Sequence, residues 1–154
     1  MAGPSATTAS AELRLEPAEA EVLAADAAEF AAALRDANAQ ARYLRLASAA
    51  AAGSVPADLV SALETMLELL FDKGRPSNRA VLQTIFGKTP RGRQQTAAVR
   101  EVNKALKSIR GQRIEEVRVS AGPSRHTLVI ETDACRLTVE LDAAGARVGS
   151  LEIG

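Results

Sequence analysis

Side chains that could act chemically are scarce in this chain and lie far apart in the sequence. It contains one histidine, His126, and one cysteine, Cys135. A catalytic histidine needs a nucleophile and an orienting acid beside it, and a zinc site built from His and Cys needs more ligands than one of each. The adjacent carboxylates of Glu115 and Glu116 would point to opposite faces of a strand. We therefore predict no enzymatic activity, no metal site and no cofactor.

Two further candidates for chemistry also favour a structural interpretation. The tripeptide Gly87-Lys88-Thr89 has the letters that end a phosphate-binding loop, but the glycine needed five residues earlier is Leu82. Cys135 alternates in phase with apolar residues of a predicted strand, which is typical of a buried small hydrophobic side chain. Neither feature predicts a catalytic or nucleotide-binding site.

Positive charge, by contrast, is concentrated in one part of the sequence. The formal net charge is zero, yet residues 1–72 carry 4 basic and 11 acidic residues, residues 73–113 carry 11 and 1, and residues 114–154 carry 4 and 7. A merely solvated face usually mixes the two signs. The basic middle segment therefore indicates a surface for an acidic partner. The alternative is that the acidic first segment neutralises it within the chain.

The predicted partner-binding site combines one helix face with the loop before it. The helix predicted over 95–110 has an apolar arc, formed by Val99, Val102, Leu106 and Ile109, and a cationic row on the opposite side. The loop predicted over 88–95 adds cations beside a glycine, which permits close approach to an anion. The six predicted site residues are Lys88, Arg91, Arg93, Arg100, Lys104 and Lys107.

The apolar pattern that must position this site predicts an α+β fold, with helices first and strands after them. Residues 1–11 are predicted to be a disordered tail. Residues 12–52 are predicted to be an alanine-rich helical segment, in which the helix starts at Pro17 and can break at residues 36–38. One apolar stripe runs along this segment through Leu23, Phe30, Leu34, Ala37, Ala41 and Leu44. Such small side chains permit close helix packing, either within the fold or with a second copy through residues 17–52.

Residues 53–154 are predicted to form an α+β domain of three helices and four strands. The helices are predicted over 57–73, 78–86 and 95–110, and the strands over 113–119, 126–132, 135–141 and 147–153. Because the connections between the strands are short, neighbouring strands must be antiparallel. The strands therefore predict a four-stranded meander with one face on the helices.

The cellular location follows only from coarse features of the sequence. A single cysteine is compatible with a reducing compartment, and no apolar run approaches the ~18 residues of a membrane span. The prediction is an intracellular protein, cytoplasmic or nuclear, that does not bind membranes. Whether residues 1–11 are a targeting remnant stays open.

Two known architectures resemble parts of this pattern. A short helix, a basic loop, a longer helix and a hairpin resemble a winged helix, which implies that Arg100, Lys104 and Lys107 face DNA. Residues Leu63–Ile130 resemble the PUB domain of peptide:N-glycanase and UBX proteins. The resemblance rests on an apolar helix, a proline at Pro76, a short amphipathic helix, a polar loop, and a helix that closes before a hairpin. It implies binding of the C-terminal tail of the AAA ATPase valosin-containing protein through a positively charged groove.

The sequence therefore predicts a non-enzymatic interaction or adaptor module that binds an acidic protein segment through its basic surface. Its alternative is a winged-helix-like protein that binds nucleic acid through the same residues.

Overall fold

The computed structural model describes residues 11–73 and 77–154, which fold as two compact units that meet at Gly92 and Arg93 in the sequence. The predicted α+β class is confirmed, because helices precede a four-stranded antiparallel sheet. The tail predicted over 1–11 lies, apart from Ala11, outside the described residues, as does Pro76.

The first unit is helical, with one short pair of strands. Its elements are β1 (Leu13–Arg14), α1 (Pro17–Ala32), α2 (Ala37–Ala51), β2 (Ser54–Val55), α3 (Ala57–Asp72) and α4 (Arg79–Lys88). Helix α1 begins at the predicted proline, with a capping box between Glu16 and Glu19. The predicted interruption is also present, but it covers residues 33–36 instead of 36–38. Asp36 ends it by capping α2, where its side chain accepts a 2.7 Å hydrogen bond from the N–H of Ala39. The antiparallel pairing of β1 with β2 was not predicted.

One core joins all four helices of this unit. Ala27, Ala31 and Ala50 are fully buried in it beside larger side chains such as Leu63, so these three alanines permit close helix packing within the chain. Because α1 and α2 share this core with α3 and α4, the unit extends to Gly92. The boundary expected from the sequence, at residues 52 and 53, therefore differs from the observed one.

The second half of the predicted apolar stripe is wrong. Ala37, Ala41 and Leu44 are exposed, and α2 instead buries Tyr43 and Leu46, together with Ala50. The break between α1 and α2 restarts the helix, so a stripe extrapolated across it has the wrong phase. The ring of Tyr43 packs edge-on against that of Phe30 in α1, with centroids 4.7 Å apart.

The loop predicted over 88–95 is also wrong, because α5 (Pro90–Ser108) begins only two residues after α4 ends. Thr89 is fully buried between the two helices. Its hydroxyl donates to the carbonyl oxygen of Phe86 at 2.7 Å and accepts from the N–H of Gly92 at 3.1 Å. A Cβ on Gly92 would collide with that same carbonyl. Pro90 is thus a first-turn proline and Gly92 a close-approach residue, although both resemble loop signals in the sequence.

The second unit is α5 packed against an antiparallel meander. The strands are β3 (Ile114–Ala121), β4 (His126–Thr132), β5 (Cys135–Asp142) and β6 (Gly145–Ile153), in the order β3-β4-β5-β6. The core of this unit joins two residues of α5 to the central strands and consists of Val102, Ala105, Ile130, Leu137 and Val139. The predicted apolar arc of α5 is only partly buried, since Val99 and Leu106 are 45% and 37% exposed.

Candidate functional site

The six predicted site residues are divided between the two units. Lys88 and Arg91 belong to the first unit, and the other four belong to the second. Lys88 contacts the acidic N-terminal part of the chain: its Nζ lies 2.5 Å from Oε2 of Glu19. Burial alone would raise the pKa of Glu19, but hydrogen bonds from Lys88 and from the N–H of Glu16 hold it below the ordinary value. Lys88 therefore forms an ion pair within the first unit.

Arg91 is occupied in a similar way. Its guanidinium lies 2.7 Å from Oε2 of Glu68, and this hydrogen bond raises the pKa of Arg91 above the ordinary value. Its backbone N–H, in the first turn of α5, donates to Oε2 of Glu64 at 2.7 Å. A carboxylate at this position favours the helix because the free N–H groups there carry partial positive charge. For Lys88 and Arg91, acidic residues of the same unit neutralise the basic segment.

The four predicted site residues of the second unit have a different environment. Arg93, Arg100, Lys104 and Lys107 are all exposed, and none forms an ion pair with a carboxylate of residues 11–73 or 77–154. The last three stand at spacings of four and three residues, which places them on one face of α5. We call Arg100, Lys104 and Lys107 the α5 cationic row.

The sheet of the same unit provides an internal comparison. Each of the three arginines on its strands, and Arg125 in the turn before β4, is paired with a carboxylate of the sheet at a distance between 2.8 and 3.3 Å. The pairs are Arg118 with Glu116, Arg125 with Glu140, Arg136 with Glu131, and Arg147 with Glu140 and Asp142. The sheet thus neutralises its own cations, whereas the helix directs its cations to solvent.

Other side chains of α5 accompany the row. Thr96, Val99 and Asn103 line one shallow depression together with the three cations. Arg100 and Lys107 are seven residues apart, which is about 10 Å along a helix. Sequence reasoning assigned Val99 to the core face and did not consider Thr96 or Asn103. Their spacing of three and four residues from Arg100 is a signal that would have found them.

The remaining candidates for chemistry stay apart in the structure. His126 is exposed at the start of β4 and is paired with Leu141. Cys135 is buried, as predicted, at the far end of the same hairpin, where its thiol donates to Oε1 of Gln112 at 3.2 Å. The hydroxyl of Thr132 accepts from the N–H of Cys135 at 2.9 Å, which fixes the turn. Within the described ranges, no three His, Cys, Asp or Glu side chains are grouped so that they could hold a metal ion.

These features define an α+β protein with a helical first unit, a helix-on-sheet second unit and an unpaired cationic row on the outer face of that helix. No protein family, curated protein or solved structure was found to match the chain. The resemblances to the PUB domain and to the winged helix therefore stay predictions. None of the helices in the described ranges combines the length and the apolar character needed to cross a bilayer.

Proposed function

We propose that this chain is an interaction module that binds an acidic segment of a partner protein through Arg100, Lys104 and Lys107. The observation that carries the proposal is the contrast within the second unit: the strand arginines Arg118, Arg136 and Arg147 are ion-paired, whereas the α5 cationic row is not. Like charges three and four residues apart on a helix repel each other. An acidic partner would remove that repulsion on binding.

The shape of the row supports a short, extended ligand. An extended chain advances about 3.3 Å per residue, so three or four residues of an acidic segment span the row's length of about 10 Å. Val99 offers apolar contact and Asn103 offers hydrogen bonds beside the cations. Exposed ion pairs contribute up to about 1 kcal/mol each, so this binding is modest and weakens as salt is added. The resemblance to the PUB domain favours the same kind of partner.

The test is a binding titration with a fluorescent peptide of eight alternating Asp and Glu residues. We expect the triple variant R100E/K104E/K107E to weaken binding at least tenfold, because it places carboxylates where the ligand carries its own. The matched control is R14E/R35E/R42E, which makes the same change in net charge on exposed residues of the first unit. Equal losses in the two variants, or no loss in either, would contradict the proposal.

Nucleic acid is a second candidate, favoured by Thr96 and Asn103 beside the row. Hydroxyl and amide side chains contact both phosphates and base edges. Three phosphate contacts predict that the logarithm of the affinity for duplex DNA falls with the logarithm of the salt concentration with a slope of about −2.7. If a 20-base-pair duplex shows this slope and binds tenfold more tightly than the acidic peptide at the same salt, nucleic acid replaces protein as the partner.

A further inference from the structure

Strand β3 forms an open edge of the sheet in the second unit. It pairs with β4 on one side, and all eight of its residues are exposed. In the described part of the chain no strand pairs with its other side. An edge strand of this length presents unpaired N–H and C=O groups that can accept another strand.

The side chains of β3 continue the core of the second unit without being covered. Val117 stands opposite Ile130 and Val119 opposite Leu128, and residues that stand opposite each other share a face of the sheet. Ile130 is buried against α5 at 8% exposure, yet Val117 and Val119 are 55% and 65% exposed. The apolar face that α5 covers therefore extends one strand beyond its cover.

The opposite edge of the sheet is less suited to pairing. Strand β6 has a register shift where it faces Thr138 and Val139, with Gly149 as the extra residue. A bulge of this kind bends an edge strand and disfavours pairing. Strand β3 is irregular only between Ile114 and Glu116, so its remaining residues form a regular edge.

The charges of β3 complement those of a second β3 strand in one antiparallel register. If two copies pair with Val117 opposite Val117, Arg118 of each copy stands opposite the second copy's Glu116. Moving the centre to Arg118 or to Glu116 would instead set like charges opposite each other, which destabilises a strand pair. Within its own sheet Glu116 already stands opposite another carboxylate, that of Glu131. The register centred on Val117 therefore gives Glu116 a second cation.

From the open edge, the uncovered valines and the charge pattern, we propose that β3 is an interaction surface for a second copy of this chain. The two β3 strands pair antiparallel about a two-fold axis at Val117, which joins two four-stranded sheets into one of eight strands. Such an interface is self-complementary and closed, so it stops at a dimer. The surface is separate from the α5 cationic row and also from residues 17–52, for which self-association was predicted from sequence.

The first test measures the mass of the full chain in solution by sedimentation equilibrium over a wide concentration range. We expect a dimer. Arg118→Glu and Glu116→Arg should each weaken dimerisation at least tenfold, because each sets like charges opposite each other across the interface. The double variant E116R/R118E should restore it, since the reciprocal pairs reappear with their signs exchanged. Both side chains are about half exposed, so a far-ultraviolet spectrum should show that the variants remain folded.

The second test determines the register by cysteine cross-linking in a Cys135→Ala background. Opposite residues of a strand pair have Cα atoms about 4.5–5.5 Å apart, which a disulfide can bridge. We expect Val117→Cys to cross-link readily on oxidation. Val119→Cys should not, because in this register the two cysteines are displaced by four residues, or about 13 Å.

Three results would overturn the proposal. A chain that is monomeric at all concentrations would show that a second copy does not occupy this edge. A dimer that is insensitive to Arg118→Glu would place the interface elsewhere. Cross-linking through residue 119 instead of 117 would contradict the register on which the charge argument depends.

Discussion

The ion pair between Lys88 and Glu19 is less exposed than the other two ion pairs found in the described residues of the first unit. The carboxylate is buried at 7% exposure and has its pKa lowered by its hydrogen-bond donors. A carboxylate whose pKa is lower in the folded than in the unfolded state stabilises the fold above its unfolded pKa of about 4.3. That contribution disappears as the pH falls through the lower, folded value.

We therefore expect Lys88→Met to destabilise the protein by about 1–3 kcal/mol at pH 7, because a buried carboxylate loses its charged partner. The difference from the wild type should shrink as the pH falls from 5 towards 3 and Glu19 becomes protonated in both proteins. The measurement is the free energy of unfolding by urea at several pH values. Lys104→Met is the matched control, since Lys104 has no ion pair in the described residues, and a similar pH-dependent loss there would contradict this role of Lys88.

At the residue scale, the sequence predicted side chains whose roles are local. Pro17 begins α1, Asp36 lies in the interruption that precedes α2, and Cys135 is buried. It did not predict which cations are free. Lys88 pairs with a residue 69 positions away and Arg91 with one 23 positions away. Pairings of this kind depend on how the helices pack, and no local pattern of charges encodes them.

At the scale of elements, two glycines lie near the junction between α4 and α5, and only one of them leaves no room for a side chain. A Cβ on Gly92 would meet the carbonyl oxygen of Phe86, whereas a Cβ on Gly87 would meet nothing within 4 Å. The first glycine therefore permits a close approach of two helices, and the second only weakens the helix that contains it.

This difference predicts opposite signs for the same substitution. Gly92→Ala should destabilise the protein by about 1–3 kcal/mol, because backbone must move to admit the methyl group. Gly87→Ala should stabilise it by about 0.5–1 kcal/mol by lowering the entropy of the unfolded chain and favouring the helix. Chemical denaturation of both variants beside the wild type measures the two effects. Equal effects of the two substitutions would show that the corner does not require Gly92.

Sequence periodicity predicted the ends of those elements that turn residues mark on both sides. The observed strands β3 to β6 agree with the predicted ranges to within two residues, because alternation and turn residues mark both ends. Helix α5 begins five residues earlier than predicted, since Pro90 and Gly92 indicate a loop unless the capping hydroxyl of Thr89 is known. Strands β1 and β2 contain two residues each, which is too short for any period.

At the scale of the whole molecule, the net charge is zero, yet some cations are paired with carboxylates and others are not. In the second unit, the sheet pairs its arginines and the helix does not. The distribution of charge along the sequence predicted a basic surface and named its residues. It could not separate the two internally paired cations from the α5 cationic row.

Repulsion within the α5 cationic row should lower the free energy of unfolding when no acidic partner is bound. We expect R100Q/K104Q to stabilise the isolated protein at low salt, by roughly 0.2–0.5 kcal/mol for each like-charged pair removed. Lys107 is kept because a cation in the last turn favours the helix. The gain should vanish at 1 M salt, where such interactions are screened. Arg147→Gln, which breaks an existing pair, should have the opposite sign at low salt. A double variant less stable than the wild type would contradict the prediction.

The edge-on contact between Phe30 and Tyr43 places the one tyrosine of the chain in the core of the first unit. This position has a practical consequence for the measurements of stability. The chain has no tryptophan, one tyrosine and three phenylalanines, and all four aromatic rings belong to the first unit. Tyrosine fluorescence and near-ultraviolet dichroism of the aromatic rings therefore report on that unit alone, whereas far-ultraviolet dichroism reports on both. Recording the two signals in one denaturation experiment reveals whether the units unfold together or in succession. The distribution of aromatic residues thus gives the protein a natural optical probe for one half of its structure.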